Sequence, residues 1–111
     1  MIRHLLLALL LVPGLAFPEG MDVAAYRKLK GKELAQLRVY FAGLGEGFGW
    51  ANAELQAKHA PLLFCAPDTM ALLPDNYIRL FEDELRRGSY KPEADIGMVL
   101  LFSLKKAFPC K

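Results

Sequence analysis

The chain has 111 residues, enough for one compact domain, and 54% of them are hydrophobic. Its 14 Lys and Arg against 12 Asp and Glu give a formal net charge of +2. That balance lacks the basic excess of a nucleic-acid binder and the acidic excess of a disordered tail, so no nucleic-acid partner is expected.

The opening Met1-Ile2-Arg3-His4 leads into eight unbroken apolar residues, Leu5 to Val12, and then Pro13-Gly14-Leu15-Ala16. A basic start, a short apolar run, a helix breaker and small residues at Gly14 and Ala16 predict a signal peptide over 1–16, cleaved after Ala16. Eight apolar residues fall well short of the roughly 20 that cross a bilayer, so no stable membrane span is expected after cleavage. No cysteine follows the cleavage point to carry a lipid. The expected mature chain is a single domain over 17–111, periplasmic or secreted.

Beyond residue 16 the β-branched residues are only Val23, Val39, Thr69, Ile78, Ile96 and Val99, while Leu and Ala abound. That composition predicts an all-α domain, a bundle of about four helices. Asp22 caps a short helix to about Lys30, stopped by Gly31. From Lys32, the residues Leu34, Leu37, Phe41, Leu44, Phe48, Ala51 and Leu55 recur at steps of three and four, drawing one stripe along a helix that reaches toward Ala60 before Pro61. Leu62 to Pro67 reads as extended. Pro74 or Asp75 opens a third helix through Tyr77, Leu80, Phe81 and Leu85, closed by Gly88. A last helix begins near Pro92 with Glu93 and Asp95 in its first turn, runs through Ile96, Val99, Leu100 and Leu104, and ends at Lys105 and Lys106 before Pro109.

The chain has two cysteines, Cys65 and Cys110. In an oxidising compartment they have one possible pairing, and the loop so closed is worth roughly 4 kcal/mol by chain entropy. A zinc site would need more ligands than two Cys and one mature His supply, so no metal or other cofactor is expected. Gly43, Gly45, Gly47 and Gly49 alternate inside the long helical pattern. No strand precedes them and no Lys-Ser/Thr pair follows, which is unlike a phosphate loop. The pairs Gly43/Gly47 and Gly45/Gly49 sit four apart, so close helix packing is the favoured reading, with a kink as the alternative.

Catalytic chemistry is thinly supplied. After residue 16 there is one histidine, His59, at the polar end of the long helix, and the hydroxyl groups other than tyrosine are Thr69, Ser89 and Ser103. Carboxylate pairs such as Glu46 with Glu82, or Glu54 with Asp68, are the remaining acid-base set, but Glu82-Asp83-Glu84-Leu85-Arg86-Arg87 reads as a solvated helix face with internal ion pairs such as Asp83 with Arg87. No enzymatic activity is expected.

Three stretches share a further pattern: Tyr40-Phe41-Ala42-Gly43, Phe64-Cys65-Ala66-Pro67, and Leu100 to Ala107 running into Phe108-Pro109-Cys110. Over roughly Leu34 to Cys110 the chain resembles the Rap/Tai family of type VI secretion amidase immunity proteins. Its most specific piece is the Phe-Pro-Cys ending in register with Cys65-Ala66-Pro67. The chain departs from the family's usual pattern at Thr69 to Asn76 and at Arg87 to Pro92. The resemblance implies a small exported helical protein that blocks a peptidoglycan amidase effector by plugging its cleft, often as a homodimer, without catalysis of its own.

From the residues themselves, the best anchor for a partner is the turn with Arg86, Arg87, Tyr90 and Lys91, an exposed aromatic among basic groups. Two other classes of function stay open: a periplasmic acid-stress type of chaperone, and a structural subunit docking through the glycine face.

Overall fold

The computed structural model describes residues 20–111, so the leader expected over 1–16 lies outside the described residues. Four helices make up the described chain: α1 (Val23–Lys30), α2 (Leu34–Ala57), α3 (Pro74–Arg87) and α4 (Ile96–Ala107). The domain is all-α, as composition predicts.

Each helix starts and stops for a local reason. The Asp22 carboxylate accepts from Ala25 N at 2.7 Å, and Gly31 closes α1. Pro74 occupies the first turn of α3, where a missing N–H costs nothing, and the Asn76 side chain accepts from Leu73 N at 2.8 Å. The end of α2 is a Schellman motif: Ala60 N donates to Leu55 O at 2.9 Å and His59 N to Gln56 O at 3.1 Å. The motif places His59 in the left-handed region, with φ 55°. Glycine normally occupies that position.

The last helix corrects the expected start. Asp95 is its N-cap, accepting from Gly97 N at 2.8 Å and Met98 N at 3.3 Å, so Pro92 and Glu93 lie outside it. The reason lies in α1. Pro92 O and Ala94 O are taken by Ala24 N and Val23 N, and Ile96 N returns a bond to Met21 O, so Asp22 and Asp95 face each other in an isolated antiparallel bridge. Two helix N-termini are thereby sewn together. Tyr40 Oη accepts from Met21 N at 3.0 Å beside the same seam.

The core is the apolar stripe of each helix. Val23, Tyr26, Leu37, Phe41, Phe81, Ile96, Val99, Leu100 and Leu104 are fully buried, with Phe64 nearly so. Leu34, placed on the stripe by its spacing, is instead 45% exposed at the helix start. Tyr26, Phe41 and Phe81 pack edge to face, with centroids 4.6 to 6.0 Å apart, and so join α1, α2 and α3 through one aromatic cluster. Ser103 Oγ donates to Leu80 O, and Lys106 reaches Glu84 from the next turn. Those two contacts advance together along α3 and α4, so the two helices lie side by side in the same direction.

Residues 58–73 are not helical, as expected for the segment carrying Cys65. Asn52 holds this segment, donating to Phe64 O at 3.0 Å and accepting from Leu63 N at 2.8 Å. On its other side Cys65 N donates to Phe108 O at 2.8 Å, and Cys65 and Cys110 form a disulfide with Cα atoms 5.0 Å apart. The pairing expected from the cysteine count is the one formed.

The glycines of α2 divide three to one. A Cβ at Gly45 would run into the ring of Tyr77, whereas one at Gly43, Gly47 or Gly49 would meet nothing within 4 Å. Helix packing therefore explains Gly45 alone, and the expected packing role of Gly43, Gly47 and Gly49 is not present within the described residues. The helix also runs unbroken through all four positions, so the chain does not break there. Gly43→Ala, Gly47→Ala and Gly49→Ala are each expected to stabilise the protein by about 1 kcal/mol in urea unfolding. Gly45→Ala should destabilise it, because displacing Tyr77 costs more than helix propensity returns. By the same logic His59→Gly should raise the melting temperature, relieving about 1 kcal/mol of left-handed strain.

Candidate functional site

The sequence placed Glu84 on a solvated face of α3, and the structure reverses that. Glu84 is 1% exposed and lies on the same helical face as Tyr77 and Phe81, seven and three positions on from them. One carboxylate oxygen, Oε1, accepts from Tyr90 Oη at 2.7 Å and from Lys106 Nζ at 2.8 Å. Oε2 has no hydrogen-bond partner and stands 4.0 Å from the Arg87 guanidinium. Burial alone would push this carboxyl up; the bonds from Lys106 and Tyr90, with the charges of Lys106 and Arg87, outweigh it and hold Glu84 below its ordinary value of 4.5. Burial and the adjacent carboxylate push the Tyr90 phenol up to about 12.

This network changes the status of the four candidate anchors. Arg86, Arg87 and Lys91 are exposed, as expected. Tyr90 is not the exposed aromatic that the turn suggested. It is half-buried, packs against the core and spends its hydroxyl on Glu84. Its ring also fills the space beside Gly88. Tyr90 therefore positions the turn, while the three cations face outward.

Around Arg86 and Arg87 the basic ends of three helices meet, while Lys91 adjoins the seam at the amino end of α1. The last turn of α1 carries Arg27, Lys28 and Lys30, that of α3 Arg86 and Arg87, and that of α4 Lys105 and Lys106. Lys30 pairs with Glu82 at 2.9 Å and Lys106 with Glu84, which fixes α1 and α4 to neighbouring turns of α3. The ion pairs differ from the expected Asp83 with Arg87: Asp83 pairs with Arg86, and Arg87 stands nearer Glu84. Cations at helix carboxyl ends are favoured by the helix dipole, which accounts for their presence in sequence but not for their convergence in space.

Between α1 and α3 the same end opens a cleft of about 200 Å³, lined by Tyr26, Arg27, Lys30, Glu82, Leu85 and Arg86. Its floor is Tyr26, whose ring is in the core and whose hydroxyl donates to Glu82. Burial and the Glu82 carboxylate push that phenol well above its ordinary value. Burial raises the Glu82 carboxyl, but bonds from Tyr26 and Lys30 and the charges of Lys30 and Arg86 leave it lowered overall. Sequence reasoning missed Arg27, Lys30 and Tyr26 because they lie some 60 positions from Arg86. Only the basic last turn of α1 signalled them.

Other residues considered for chemistry are dispersed. Glu54 pairs with Lys58, Glu82 with Lys30, and His59 is exposed at the α2 terminus. Among the described residues no three His, Cys, Asp or Glu side chains group to hold a metal, and no helix is long and apolar enough to cross a membrane. No protein family, curated protein or solved structure matches the chain.

Because the folded Glu84 carboxyl is held below its unfolded value, its contribution is fully present above pH about 4.5 and is lost as the pH falls through the lowered value. Urea midpoints measured from pH 7 down to pH 3 should therefore drop more steeply for the parent than for Glu84→Gln, which cannot titrate. Parallel curves would show that Glu84 carries none of the acid sensitivity.

Proposed function

We propose that the protein is an exported, non-catalytic binding protein that docks onto a protein partner through the basic end formed by α1, α3 and α4. The observation that carries this reading is the convergence of three basic helix ends around exposed Arg86 and Arg87, on a frame held rigid by a disulfide and a buried carboxylate. A rigid scaffold presenting charged groups on a turn suits recognition, because little conformational freedom is lost on binding. The disulfide supports an oxidising compartment.

The resemblance of Tyr40 to Gly43, Phe64 to Pro67 and Leu100 to Cys110 to the Rap/Tai family supplies the sharpest version: the partner is a periplasmic peptidoglycan amidase delivered by type VI secretion. Inhibition then follows from filling the toxin's cleft, with no group on this chain taking part in bond making. In this version Arg86, Arg87 and Lys91 make the contact, and Tyr90 acts behind them by fixing the turn.

Co-production of the protein with such amidases in the periplasm of susceptible cells should prevent lysis. The triple variant Arg86→Glu, Arg87→Glu, Lys91→Glu should fold with an unchanged circular dichroism spectrum and lose both protection and co-purification. Lysis at the unprotected rate with every amidase, and no co-purifying toxin, would remove the immunity reading.

A further inference from the structure

We infer that the cleft between α1 and α3 is a receptor pocket for a carboxylate side chain of an acidic peptide segment, clamped by Arg27 and Arg86. The inference rests on the reading of this end as a partner-docking surface and names the chemistry that the surface selects. Three cationic groups, Arg27, Lys30 and Arg86, line the cleft against one lining carboxylate, Glu82. Glu82 is already engaged, by the Tyr26 hydroxyl and by Lys30. Arg86 is held by Asp83 in an exposed pair three residues apart, a type of pair that contributes little and exchanges readily for another carboxylate. Arg27 has no ion-pair partner among the described residues. Two guanidinium groups reached from different helices suit a planar carboxylate, which they can meet with paired N–H donors. Leu85 adds an apolar wall, so that the stem of a Glu or Asp side chain is covered as its head is neutralised.

Charge also argues against the other anionic surfaces. A membrane would require apolar side chains beside the cations to enter the lipid. Among the described residues the exposed large apolar side chains are Leu34, Val39, Trp50, Met70, Leu73, Met98 and Phe102, and none of them lines this cleft. Duplex nucleic acid needs a continuous basic track, whereas Glu82 and Asp83 interrupt this one.

The test uses the full mature chain and hexaglutamate as the probe, with binding followed by amide chemical shifts and by calorimetry at low salt. Shifts should centre on residues 26–30 and 82–86. Arg27→Gln and Arg86→Gln should each weaken binding about tenfold, while Lys28→Gln, which removes the same charge from the same helix outside the cleft, should change it less than twofold. Glu82→Gln should strengthen binding, since it removes the competing carboxylate and keeps an acceptor for Tyr26. Equal losses in Arg27→Gln and Lys28→Gln would overturn the pocket in favour of a diffuse basic surface. Tighter binding to vesicles of anionic lipid or to duplex DNA, insensitive to Arg27→Gln, would overturn it as well. A protein partner that binds normally to Arg27→Gln while hexaglutamate does not bind the parent would sink the pocket and leave the docking function standing. Hexaglutamate binding with the predicted variant pattern but no protection from any amidase would support the pocket and remove the toxin as its partner.

Discussion

The fold depends on the edge-to-face cluster of Tyr26, Phe41 and Phe81. One ring from each of α1, α2 and α3 meets there, and α4 then packs along α3, with Ser103 bonded to Leu80 O. Tyr26 links this core to the surface, because its ring belongs to the cluster while its hydroxyl reaches Glu82 at the floor of the cleft. A residue that must satisfy both roles cannot move without disturbing either. The position of α1, and with it Arg27 and Lys30, is therefore fixed by the same packing that stabilises the domain. Stability and recognition are coupled at this one side chain.

Glu84 plays the complementary part on the opposite side of α3. A buried carboxylate is costly unless hydrogen-bonded, and its partners come from the following turn and from the end of α4. Tyr90 and Lys106 thereby become fixed in place around it. The exposed cations Arg86, Arg87 and Lys91 are held at set spacings by a group that a partner would never touch.

Much of the fold was legible in the sequence because it is written locally. Gly31, Pro74, Gly88 and Pro109 punctuate four runs of helical periodicity, and two cysteines admit a single pairing. What was not legible depends on distant residues. The start of α4 shifts from Pro92 to Ile96 because Pro92 O and Ala94 O bond to α1, nearly 70 positions earlier. Glu84 is indistinguishable from Glu82 and Asp83 until Lys106 is placed beside it. The glycine pattern suggested two packing faces, yet only Gly45 meets a neighbour, because a regular spacing cannot say which face of α2 the other helices cover. Within the candidate site, Arg86, Arg87 and Lys91 could be named from composition and turn chemistry; the half of the cleft supplied by α1 could not.

The seam between Asp22 and Asp95 has a kinetic consequence. Among the described residues the amino end of the first helix obtains its tertiary backbone bonds from residues 92–96, and the disulfide joins Cys65 to Cys110. Loops of such length close slowly, since their entropy is lost before any contact returns it. A chain emerging from a ribosome amino terminus first can bring Phe41 and then Phe81 to Tyr26, but the amino end of α1 stays without its backbone partners until residues 92–96 arrive.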